Sequence, residues 1–144
     1  MEQRLTMVTL GVADLDVARA FYTRTLGWQA FGPEADIAFF HLGAMILGLY
    51  PHDALAEDMA LAPRSVDPAA YPGHALAYNT RSEAEVDQVL ADIEAKGGTI
   101  LKPAHKAFWG GYSGYFADPD GHAWEVAFNP HWPMNEQGHP VPQA

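Results

Sequence analysis

One local pattern is written twice in this chain, and that repetition limits the fold more than any other feature. Each copy runs strand, capped helix, glycine stop, then three more strands. In the first copy Leu5 to Val12 reads as a strand, with Val8, Leu10 and Val12 on one face and Met7, Thr9 and Gly11 on the other. Asp14 is a good helix N-cap, Asp16 suits the helix dipole, and Gly27 is a C-terminal stop. Trp28 to Phe31 starts a second strand, which Gly32-Pro33 breaks. Ile37 to Leu42 and Met45 to Tyr50 predict a hairpin around Gly43-Ala44. The second copy opens with a strand from His74 to Thr80. Ser82 and Glu85 form a capping box, and Val86, Val89, Leu90 and Ile93 recur at helical spacing before Gly97-Gly98. Thr99 to Lys102 reads as a strand ended by Pro103. Tyr112 to Ala117 and His122 to Phe128 then flank the turn Asp118-Pro119-Asp120-Gly121. The two helix caps are about 68 residues apart.

Two βαβββ modules predict an α+β fold with more strand than helix. The expected division is 1–62 for the first module, 63–73 for a linker, 74–129 for the second module and 130–144 for an extended tail. Pro51 to Gly73 is long for a loop and carries four prolines, so it reads as a linker or flap, with a short helical piece from Asp53 to Met59. Pairing two such modules leaves the helices outside and a concave cup within. Alternation sends Val8, Leu10 and Val12 towards the first helix and Ala75 and Ala77 towards the second. Met7, Thr9, His74, Leu76 and Tyr78 then look into the cup.

A net charge of -10 argues against nucleic acid and anionic membrane surfaces, which need clustered Lys and Arg. The absence of cysteine excludes disulfides, thiolate metal sites and cysteine nucleophiles. The first residues, MEQRLTMVTLGV, lack the pattern of a signal peptide, and no apolar run reaches the length of a membrane span. The expectation is a soluble, cytoplasmic protein. Its partner is a small molecule rather than nucleic acid or membrane. The Pro-rich linker and the tail bearing Trp132 supply docking segments for a homodimer.

The last hairpin carries the chemistry. Trp124, Val126 and Phe128 share one face of its second strand, while Ala123, Glu125 and Ala127 share the other. Glu125 is then either an acid on the cavity side or a solvent-facing glutamate. Phe108, Trp109, Tyr112 and Tyr115 surround Gly110-Gly111, which permits close backbone approach. The cluster reads as ordinary hairpin packing or as the apolar rim of a ligand pocket, with Tyr78 as a further lining residue. Trp124 belongs to the core. Asp118 and Asp120 read as turn residues. The seven histidines have no H-x-x-x-H or H-x-H spacing, and His105, in KPAHK, reads as solvated.

The opening GVADLDVARAFYTRTLGW, the closing GYFADPDGHAWEV and the doubled βαβββ unit together resemble the vicinal oxygen chelate superfamily. That group includes glyoxalase I, bleomycin-resistance proteins, fosfomycin-resistance enzymes and extradiol dioxygenases. The resemblance covers about residues 5 to 129. Its metal-dependent members take one ligand from the first and one from the last strand of each module. Carried onto this chain, those positions fall on Met7, on or near Leu47, on His74 and on Glu125. Met7 and Leu47 are not ligands for zinc, iron or manganese. The resemblance therefore implies a small-molecule site with Met7 in its wall, no complete metal site and no cofactor. His74 and Glu125 would be a remnant metal pair, a catalytic acid–base pair or a structural hydrogen bond. The alternative is a metal-dependent lyase, isomerase or dioxygenase using His74 and Glu125 with a divalent metal.

Overall fold

The computed structural model describes residues 1–32 and 36–141. Pro33, expected to help break the second strand, and residues 142–144 of the expected tail lie outside the described residues. The chain divides into two compact units, Met1–Pro68 and Ala69–Ala144, and the division falls inside the expected linker. Each unit holds one open four-stranded mixed sheet, so the fold is α+β.

In the first unit β1 (Met7–Val12) is followed by α1 (Leu15–Ala20), which passes into a π-helical stretch over Phe21–Thr25. The Asp14 carboxylate accepts the backbone N–H groups of Asp16 and Val17 at 2.9 and 3.0 Å, satisfying two of the unpaired donors at the helix start. β2 (Ala30–Phe31), β3 (Ala38–Leu42) and β4 (Met45–Pro51) complete the sheet in the order β1-β4-β3-β2. Gly43 at φ 67° makes the tight turn between β3 and β4. α2 (His52–Asp58) closes the unit. The parallel β1–β4 ladder and the β3–β4 hairpin put Val8, Leu10, Leu47, Leu49, Ala38 and Phe40 on one face. That face forms the core with Ala18 and Tyr22, and the Tyr22 ring lies 5.5 Å from Phe40.

The second unit repeats the plan. β5 (Leu76–Asn79), α3 (Glu83–Ala95), β6 (Thr99–Lys106), β7 (Tyr112–Ala117) and β8 (Ala123–Phe128) make a sheet in the order β5-β8-β7-β6. Ser82 Oγ accepts the Glu85 N–H at 3.2 Å, so the cap is in place. The returning Glu85 carboxylate takes the N–H of Arg81. α3 buries Val86, Leu90 and Ile93 against Phe116, Trp124 and Val126. Gly114 lets it come close, because a Cβ there would sit 2.5 Å from Leu90 Cδ1. Strand exceeds helix among the described residues.

Two expectations on this unit are corrected. β6 does not end at Pro103 but continues to Lys106, with register shifts on either side of Lys102. β6 is an edge strand, where a missing N–H and a bulge are tolerated. The faces of β5 are also reversed. Leu76 is laddered to Trp124 and Tyr78 to Val126, so both lie on the helix side. Ala77 is laddered to Glu125. A one-residue change of register exchanges the two faces of a strand.

Candidate functional site

Each sheet has one face against its helix and one face turned away from it. On the second sheet the away face is a short grid of side chains set by the ladders. One row runs Lys102, Tyr115, Glu125, Ala77, and the next runs His105, Ser113, Ala127, Asn79. Ala123, Ala127 and Ala77 surround Glu125 with small side chains, and Ala127 and Ser113 are themselves buried. The Tyr115 hydroxyl donates to Glu125 Oε1 at 2.9 Å. Partial burial, that hydrogen bond and the carboxylate charge all push the Tyr115 phenol above its ordinary value of 10.0, so it stays a donor at neutral pH. One carboxylate oxygen is thus held by a neutral phenol. Such a group can accept a hydrogen bond or a proton from a bound molecule.

Trp109 sits at one end of this face. Its ring folds back over Gly111, where a Cβ would fall within 2.0 Å of two ring carbons. Only glycine fits there. Gly110, at φ 93°, turns the chain so that the Ala107 N–H reaches Gly111 O at 2.8 Å. By alternation Gly111 has the side of Ser113 and Tyr115, so the indole lies on the Glu125 side. Trp109 remains 36% exposed.

The sequence-expected site residues therefore separate. Glu125, Tyr115 and Trp109 share the away face of the second sheet. Tyr112 lies on the helix side, where its hydroxyl donates to Asp87 Oδ1 at 2.9 Å and that bond raises its pKa. Phe108 is fully exposed at the loop tip, and Tyr78 is half exposed on the helix side of an edge strand. Met7 lies in the first unit on the away face of its own sheet, beside Ile46. His74 is not brought to Glu125. It precedes β5, its Nδ1 is 3.3 Å from Pro72 O, and its ring centroid is 6.3 Å from that of His122. Leu47 is buried in the helix-side core, and its away-face neighbours on β4 are Ile46 and Gly48.

Sequence reasoning missed His105. It is part-buried rather than solvated, and its Nδ1 is buried without a hydrogen-bond partner among the described residues. Its ladder partner Ser113 places it on the Glu125 side. The signal was available in principle, but the continuation of β6 through Pro103 hid it. In the first unit His41 stacks on Phe31 at 4.0 Å and shares the Met7 face.

The described residues contain a group of three metal-type side chains in Asp118, Asp120 and His122. Its central carboxylate is already engaged. Asp118 accepts the N–H groups of Asp120 and His122 at 3.0 and 2.9 Å and contacts His122 Nδ1 at 2.8 Å, which braces the β7–β8 turn. The expected turn role of Asp118 accounts for these contacts.

The comparisons with known proteins agree with this fold. Residues 4–126 match the family model of the Glyoxalase/Bleomycin resistance protein/Dioxygenase superfamily. A crystal structure of a glyoxalase-related enzyme from Fulvimarina pelagi is 36% identical with a TM-score of 0.86, covering 99% of this chain and 100% of that one. Lactoylglutathione lyase from Agrobacterium tumefaciens is 25% identical with a TM-score of 0.71, covering 92% and 98%. The fosfomycin resistance protein FosX from Listeria monocytogenes is 26% identical with a TM-score of 0.68, covering 90% and 95%. The search of curated proteins returns no match. The doubled βαβββ plan, the two matching motifs and these likenesses converge, and the chain belongs to the Glyoxalase/Bleomycin resistance protein/Dioxygenase superfamily.

Proposed function

We propose that the protein binds a small apolar or aromatic molecule on the away face of the β5–β8 sheet. Trp109 is its wall and the Tyr115–Glu125 pair its polar floor. The observation that carries this reading is the Tyr115–Glu125 hydrogen bond among small alanines, with an indole folded over Gly111 at the start of the same strand. Apolar walls with a few fixed polar groups are what a small-ligand site requires.

The residues present do not suit the family's divalent metal. On the ladder positions that face away from the helices, β8 offers Glu125 but β5 offers Ala77. In the first unit β1 offers Met7 and Thr9, and β4 offers Ile46 and Gly48. A catalytic site of the zinc type takes three protein ligands. The reading is therefore a site that works without a metal at the family position, in a cytoplasmic homodimer.

The test uses N-phenyl-1-naphthylamine, an uncharged aromatic probe whose emission rises in apolar surroundings. Saturable binding to the wild type, weakened in Trp109→Ala with the circular-dichroism spectrum unchanged, is the expected result. No saturable binding, or binding indifferent to Trp109, refutes the reading.

A further inference from the structure

We infer that the ligand of this face carries an oxyanion, held at the β6 edge by Lys102 and His105, while its apolar body lies against Trp109 and Tyr115. The proposal presupposes that the face binds a ligand, and the test below separates the two.

Three observations lead to it. First, Lys102 has no side-chain ion pair among the described residues, although the chain is strongly acidic. The neighbouring Lys106, on the opposite face, is neutralised by Glu83 of α3. Two lysines four residues apart on one strand thus have different fates. The ladder pairs Lys102 with Tyr115 and Lys106 with Tyr112, with irregular register on both sides of Lys102. Second, His105 stands on the Lys102 side with a buried, unpartnered Nδ1. A buried nitrogen without a partner is costly, because it has lost water and gained nothing in return. Such a group calls for an explanation, and a bound molecule or water is one. Third, the charges on this face are separated. Lys102 and Glu125 flank Tyr115 in one row, two strand spacings apart, which is about 10 Å at the Cα level. Glu125 is thus set apart from Lys102, with the Tyr115 ring between them in the row.

Among the described residues no acid forms an ion pair with Lys102. β6 has no further strand beyond it in its sheet. Its free side lets a charged head remain partly in water while the attached body enters the face. A carboxylate, sulfonate or phosphonate on an aromatic or aliphatic body has the required shape. His105 supplies a hydrogen bond and Lys102 the point charge.

The experiment compares two probes with one body. 8-Anilinonaphthalene-1-sulfonate is N-phenyl-1-naphthylamine with a sulfonate added. The expected result is that the full-length wild-type protein binds the sulfonate probe about tenfold more tightly than the uncharged one at low salt, and that added salt reduces the difference. Lys102→Gln should abolish the preference. His105→Asn should weaken the sulfonate probe several-fold. Equal affinities in the wild type, or a preference that survives both Lys102→Gln and His105→Asn, would overturn the inference. The binding reading would still stand if the uncharged probe binds in a Trp109-dependent way. Failure of both probes with the fold intact overturns the two together.

Discussion

Trp109 and Trp124 make the sharpest test of how the faces are assigned. Trp124 is 5% exposed, stacked on Phe116 at 6.1 Å and 4°, and closed in by α3. Truncation to alanine removes an indole from a packed interior and leaves a cavity, at a cost of about 3–5 kcal/mol. Trp109 is 36% exposed and rests on a glycine in a hairpin loop. Water can fill the space it leaves, and the loop keeps its own backbone hydrogen bonds from Ala107 to Gly111 and from Gly110 to Ala107. The loss there is the buried two thirds of an apolar side chain, about 1–2 kcal/mol. The gap between the two variants is therefore about 1–4 kcal/mol, a difference of roughly 10 °C in Tm for a domain of this size. Urea unfolding followed by circular dichroism measures it, with Trp124→Leu as a milder variant if Trp124→Ala does not express. Ligand binding should respond the other way, with Trp109→Ala losing about 1–3 kcal/mol of affinity. If Trp109→Ala destabilises as much as Trp124→Ala, the indole of Trp109 is a core group and the away face is not a site.

Tyr115 has its pKa raised above 10.0 in the folded chain, so its contribution to stability is complete below about pH 10 and is lost as pH rises through the folded value. Tyr115→Phe should flatten the alkaline loss of stability relative to wild type. Tyr112→Phe serves as the comparison because Asp87 raises Tyr112 in the same direction, and identical alkaline slopes in wild type and Tyr115→Phe would refute the role given to Glu125. Gly114→Ala would place a methyl 2.8 and 2.9 Å from Lys102 O and Ala104 N, backbone atoms that cannot rotate away. It should cost about 1–3 kcal/mol in urea unfolding, and a neutral effect would mean that β6 and α3 pack less closely than described. Elemental analysis of protein dialysed without chelator should find well under one divalent metal per chain. One equivalent that disappears in Glu125→Gln would restore the metal-dependent reading.

Local chemistry was enough to define the modules. Asp14, Ser82, Gly27 and Gly97 mark helix ends through hydrogen bonds and backbone angles that span four residues or fewer, and such signals survive in any context. The repeat of those signals carried the α+β plan, and the alternation along β8 correctly put Trp124 in the core. What the sequence could not determine is how strands match each other. Whether Tyr78 or Ala77 lies beside Glu125 depends on the β5–β8 register, because shifting a strand by one residue exchanges its faces without changing its composition. Leu76 and Tyr78, on a strand of alternating small and large residues, were assigned to the wrong side for that reason. Tyr112 and Tyr115 look alike in sequence, yet three positions apart on a strand they point to opposite faces, one to Asp87 and one to Glu125. The passage of β6 through Pro103 required an edge strand with an irregular register. Only the order of strands in the folded sheet made β6 an edge, and its irregular register pairs Lys102 with Tyr115 and His105 with Ser113.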